Sequence, residues 1–430
     1  MVLEDNSSEP ASKFSFGGWL LGGMVAYGMF GQLAAVLASA GLGVSSRLVT
    51  VPSRALLLGM ALASLIVLLF RPGRAVLSSA LIAYGLFWLA FGSRILMEAA
   101  TRVDVVVETG RFTLQFIVTM TLGGVLIPSL AVILNGCWEK HRFIRNTSFF
   151  LALGSGITTV IFYGNRFTNF ENRMSAGDTE GGVQTINSIP IGYLGASLVI
   201  FAAYYVVCLR QRGFWRWIPT IVAGGLGLFL LVGSASRGPI LGAAVTLLFF
   251  FAAQARRLDF RGVSFLLVGG IVGVTGLVML AQFTGSAVIN RIMGIGYAVA
   301  TNSEGAARVN LYEMAAEEIA ASPIVGSSLT LRADDGTDMY PHNLFIESML
   351  ATGLAGTIPL TYVLFYAFKC AWTILLNRAE LGWVSLLFML YFMYQMVGGA
   401  IYSSGQFWIG TATVISCGTW IRRNNYELPD

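Results

Sequence analysis

This 430-residue chain has two histidines, and their surroundings differ sharply. His342 lies in Tyr340-Pro341-His342-Asn343-Leu344-Phe345-Ile346-Glu347, where a long polar segment turns back into apolar sequence. An imidazole titrates near working pH and suits a general base. A histidine at such a boundary can equally be an interfacial side chain satisfied by backbone. His141, in Glu139-Lys140-His141-Arg142, reads as part of a basic loop. A zinc site is not expected at His342, because no second histidine or cysteine lies on its side. Arg237, in Ser234-Ala235-Ser236-Arg237-Gly238-Pro239, is a single charge between two apolar runs. It reads either as a snorkelling arginine on a short loop or as an anion ligand at a helix N-terminus. Arg166 and Arg173 are further anion-binding candidates. Asp334, Asp335 and Asp338 resemble a metal-binding carboxylate cluster, but a solvated loop face is the plainer reading, and no metal or cofactor is expected. Asp338, Asn343 and Glu347 could orient the imidazole or hold an acceptor.

The elements that must position these residues are apolar. Of the chain, 56% is hydrophobic and 11% charged, against about 25% charged in soluble proteins. Apolar runs of span length recur throughout, which predicts an all-α polytopic membrane protein in a single domain, residues 1–430. Twelve spans are expected, near 17–38, 55–70, 75–92, 112–134, 148–165, 188–209, 217–234, 238–254, 263–282, 344–368, 382–400 and 405–421. The polar start, Met1 to Lys13, does not read as a cleavable signal peptide. No solenoid-length repeat is visible, and the net charge of +5 points to no nucleic-acid partner once its distribution is read.

That distribution sets the expected topology. Alternate connections hold 16 and 11 of the 27 Lys and Arg residues, and the richer set occupies shorter loops. By the positive-inside rule, both termini are cytoplasmic. All three lysines and the ends near Cys137, Cys208, Cys370 and Cys417 then lie inside. The outer side carries arginines only, whose planar fork suits bidentate binding of phosphate.

Three outer segments carry content. Residues 93–111 read as a short interfacial helix with a Glu98–Arg102 pair. Residues 166–187 form a polar loop bearing Arg166 and Arg173. Residues 283–343 form a large outer loop. Within it Val309, Tyr312, Ala316 and Ile319 mark the apolar face of an amphipathic helix, and Glu313, Glu317 and Glu318 another. Ser322-Pro323 ends that helix, and an irregular acidic stretch leads into His342.

His342-Asn343, nine residues, then Gly353-Leu354-Ala355-Gly356 resembles the H-[NSQ]-x9-G-x-x-[GTY] pattern of bacterial O-antigen ligases. Ser236-Arg237-Gly238-Pro239 is similar to the Ser-Arg-Gly element of the wider superfamily of O-antigen ligases and O-antigen and exopolysaccharide polymerases. Arg308-Val-Asn-Leu-Tyr and Ser322-Pro323-Ile324-Val325-Gly326 resemble that domain's lead-in helix and turn. The resemblance implies a GT-C-like fold and a metal-independent, inverting glycosyltransferase of the bacterial inner membrane. Its donor would be an undecaprenyl-pyrophosphate-linked oligosaccharide taken at the periplasmic face. His342 would be the base, Arg237 a pyrophosphate ligand, and Arg173 or Arg166 a second. The Tyr-Pro-His-Asn-Leu-Phe-Ile-Glu run looks more like the polymerases, which extend O-antigen or exopolysaccharide and can have a chain-length regulator as partner. The alternative is a ligase that joins the glycan to lipid A–core. A polysaccharide or lipid transporter is the competing class. It is disfavoured because the spans hold almost no ionisable groups apart from Glu347.

Overall fold

The computed structural model describes residues 16–31, 46–70, 77–101, 114–163, 188–209, 214–255, 275–276, 278–279, 281–282, 304–332 and 338–425. The fold is helical: α1 (Phe16–Ala26), α2 (Ser46–Phe70), α3 (Ser79–Thr101), α4 (Leu114–Thr119), α5 (Ile127–Leu134), α6 (His141–Tyr163), α7 (Ser188–Tyr204), α8 (Phe214–Gly233), α9 (Arg237–Ala255), α10 (Glu304–Ala321), α11 (Leu344–Asn377), α12 (Gly382–Val397) and α13 (Gly405–Asn425). Single wider turns extend α1 through Gly31 and α7 through Leu209, and another joins α4 to α5. Among the described residues, seven helices are long and apolar enough to cross a membrane. Their outward faces carry bare aliphatic side chains such as Leu69, Leu96, Leu248 and Ile358, which suits lipid rather than water. The protein is an all-α polytopic membrane protein.

Eleven of the twelve expected spans coincide with helices, and 263–282 lies largely outside the described residues. The core is built around α11, α12 and α13, with Phe388, Trp383, Trp408 and Phe407 fully buried. Small residues bring helices to backbone contact: a side-chain carbon at Gly195 of α7 would lie 2.7 Å from the Gly227 oxygen of α8. Such close approach is how helices pack where lipid removes the hydrophobic drive.

Two groups of helix ends result. One gathers the ends of α5, α7, α11 and α13 with all four cysteines, which are free thiols. The other gathers the C-termini of α3, α8 and α12 with the N-termini of α7, α9, α11 and α13. Both motifs lie in this second group, called here the motif end.

Two expectations change, at residues 93–101 and on the amphipathic helix. Residues 93–101 do not lie along an interface; they are the last turns of α3, because Arg94 and Glu98 point into protein. Glu98 accepts a hydrogen bond from the Leu329 amide; Arg102, its expected partner, lies outside the described residues. The amphipathic helix exists as α10, but its buried face is rotated by about one residue. Leu311 and Ala315 pack on Leu331 and Leu350, whereas Val309 and Ala316 are exposed. Ile319, at the end of the expected stripe, still packs against this cluster. After α10, Leu331–Arg332 and Asp338–Met339 form a two-residue antiparallel pair, Arg332 opposite Asp338.

Candidate functional site

The H-N-x9-G-x-x-G motif builds a broken helix. Asn343 is the N-cap of α11: its side-chain oxygen accepts from the Phe345 amide at 3.1 Å and the Ile346 amide at 3.3 Å. That satisfies two of the donors a helix start leaves open and uses the side-chain oxygen of Asn343, not its amide nitrogen. Ten residues on, Gly353 breaks α11 at φ 57°, ψ −156°, a conformation close to one that only glycine tolerates well. At 34 residues, α11 is roughly 51 Å long. That exceeds the ~30 Å hydrocarbon core, and the part beyond Gly353 alone suffices to span it.

The break would orphan backbone groups, and all its partners are present. The Ser322–Gly326 turn docks on it, so that the Leu354 and Ala355 amides donate to the Pro323 and Ile324 oxygens, each at 2.9 Å. On the other side, the Ser327 amide donates to the Leu350 oxygen at 2.8 Å. Gly326 (φ 76°) approaches so closely that a Cβ there would lie 2.6 Å from the Ala351 oxygen. The two glycines face each other backbone to backbone. Arg94 of α3 closes the junction: 7% exposed, its guanidinium donates to the oxygens of Ala351 (3.0 Å), Ser327 (2.9 Å), Val325 (2.9 Å) and Gly326. In the sequence, Arg94 is one more arginine of the 93–111 segment. Its one local signal is Glu98 a turn later, the carboxylate that holds the same segment.

His342 precedes this helix at φ 56°, half-buried with its ring 4.2 Å from the Tyr340 ring. Burial, and after it the Glu347 charge, pushes the Tyr340 phenol above its ordinary value, so it stays protonated at neutral pH. Glu347 is fully buried. One carboxylate oxygen accepts from the Ile401 amide at 2.8 Å, pinning the α12–α13 loop; the other has no hydrogen-bond partner.

Arg237 opens α9 after a tight Ser234-Ala235-Ser236 turn. Ser234 and Ala235 amides close on α8, and Ser236 meets Ser188 of α7 at 3.0 Å. Ala235 takes φ 46°. Among the described residues, Ala235 and His342 are the non-glycine residues at positive φ, one in each motif. Such strain concentrates at functional sites. The half-buried Arg237 guanidinium makes no ion pair or hydrogen bond among the described residues. The turn abuts α12: a Cβ at Gly238 would lie 3.2 Å from Val397 and 3.4 Å from the Tyr193 hydroxyl. Both motifs therefore flank the C-terminal end of α12, one against Val397 and the other through Ile401.

Arg166, Arg173, Asp334 and Asp335 lie outside the described residues. Asp338 is placed by its backbone pairing only. His141 is at the opposite end, at the start of α6.

These features define a class: a polytopic helical membrane protein with, at one end of its bundle, a strained histidine and an arginine that has no partner among the described residues. Residues 223–361 match the family described as O-antigen ligase. That stretch runs from α8 past Gly356 and contains both motifs, so the superfamily resemblance is shown over the segment that carries the site. No curated protein matches the chain.

Proposed function

We propose that this protein is a membrane glycosyltransferase that moves a glycan from an undecaprenyl-pyrophosphate carrier onto an acceptor hydroxyl, at the outer face of a bacterial inner membrane. The observation that carries the reading is the paired strain at Ala235 and His342, with Arg237 making no ion pair or hydrogen bond among the described residues. The Nδ1 atom of His342 is buried, so Nε2 is the nitrogen assigned as base. It takes the acceptor proton while the acceptor oxygen attacks the anomeric carbon. The bond from that carbon to the pyrophosphate oxygen breaks, and its electron pair leaves with the lipid pyrophosphate. Arg237, with Arg173 or Arg166, neutralises that charge; fixed donors aimed at developing charge act most strongly where water is excluded. One displacement of this kind inverts the anomeric centre and uses no metal. Asp338 and Glu347 would support the base or the acceptor.

Polymerisation of O-antigen or exopolysaccharide units is the favoured use, on the Tyr340–Glu347 run. Ligation to lipid A–core is the second reading, on the description of the matched family. Purified protein given an undecaprenyl-pyrophosphate oligosaccharide should transfer it, and His342→Ala and Arg237→Ala should not, while His141→Ala stays active. Full activity in His342→Ala sinks the proposal; translocation without new linkages indicates a transporter. In cells lacking the protein, single units on lipid A indicate a polymerase, and polymer retained on its carrier indicates a ligase.

A further inference from the structure

Beneath the α12–α13 loop lies a group of polar side chains that the transfer step does not use. Gln395, on the last turn of α12, is fully buried, and neither its amide oxygen nor its amide nitrogen has a hydrogen-bond partner. The Ser404 hydroxyl, 3% exposed, and the Tyr193 hydroxyl, 3% exposed, are likewise unpartnered, as is the second oxygen of Glu347. Two of them meet at Gly399, where a Cβ would collide with both the Gln395 oxygen and the Ser404 hydroxyl, and Glu347 holds Ile401 in the same loop.

Leaving such groups unpaired costs their desolvation penalty, and native proteins rarely keep several together without a ligand or water to satisfy them. The chemistry is selective. An amide, two hydroxyls and a carboxyl group offer donors and acceptors and no cation, which suits the hydroxyls of a neutral sugar and gives a phosphate no counter-charge. Aromatic faces adjoin: Tyr193 lies 4.8 Å from Tyr394, ring to ring, and Tyr340 stands over His342. Position completes the case, because the Tyr193 hydroxyl abuts Gly238, next to Arg237.

We infer that Gln395, Glu347, Ser404 and Tyr193 form a subsite for a neutral sugar ring, the one bonded to the pyrophosphate that Arg237 holds. The loop carries Gly398 and Gly399 at its root, and lifting it there admits the ring. This inference rests on the glycan-transfer reading and extends it to the sugar.

The test is thermal unfolding of the full chain in detergent, with methyl glucoside, methyl galactoside, methyl N-acetylglucosaminide or inorganic pyrophosphate as probes. At least one glycoside should raise the Tm by roughly 2 °C or more. That response should vanish in Gln395→Ala and in Ser404→Ala and persist in Arg237→Ala. The pyrophosphate response should behave the other way round. A pyrophosphate response with no glycoside response overturns the inference and leaves the transfer reading standing. A glycoside response retained in both Gln395→Ala and Ser404→Ala also overturns it. No pyrophosphate response in the unmodified chain counts against the transfer reading itself.

Discussion

Two buried carboxamides sit at opposite ends of this bundle under opposite conditions. Asn135, at the end away from the motifs, spends every polar atom of its side chain. Its oxygen accepts from the Cys137 amide at 3.0 Å, and its nitrogen donates to Ser64 at 3.1 Å and to the Gly17 oxygen at 3.3 Å. Its backbone oxygen meets Ser416, which in turn accepts from the Trp138 indole at 2.9 Å. Asn135 thus ties α1, α2, α5 and α13 together. Gln395, at the motif end, is as buried and ties nothing. A buried amide with its bonds made is a strut; one without them holds a place for something else. The backbone tells the same story, since both strained non-glycine residues fall at the motif end.

Four substitutions break or sharpen that contrast. Gly353→Ala should have the largest effect, because its Cβ would meet the Ile324 backbone at a positive φ. We expect a loss of about 4 kcal/mol, read as a Tm collapse and as lost transfer together. His342→Ala should lower transfer by about a hundredfold or more while the Tm holds, separating the chemistry from the fold. Asn135→Ala should cost about 2 kcal/mol, seen as a lower Tm, with the rate per folded molecule unchanged. Gln395→Leu should be smallest and opposite in sign: removing orphaned polar atoms gains up to about 1 kcal/mol in unfolding experiments while sugar binding is lost. A Gln395→Leu protein as destabilised as Asn135→Ala would erase the contrast.

Much of this was legible beforehand. The helix positions follow from apolar runs, and the start of α11 from the return to apolar sequence at Leu344. The α10 face was misread because alanine is compatible with either side of a helix, so the stripe is decided by what packs on it. The 93–101 segment was misread for a related reason. A glutamate in a span-like run looks interfacial until its buried partner is known, and for Glu98 that partner, the Leu329 amide, lies more than 200 residues away in sequence.

The sequence by itself determined the membrane class, the succession of helices, and the two motifs with their arginine and histidine. These are local properties: length, hydropathy and turn chemistry act over a few residues. Tertiary structure alone decided that Gly326 and Gly353 meet, that Arg94 and Glu98 hold that junction, that both motifs flank the end of α12, and that Gln395 lies unpaired beneath a loop. Each depends on backbone groups freed in one segment finding, or failing to find, partners in another, and no local pattern records which segment that will be.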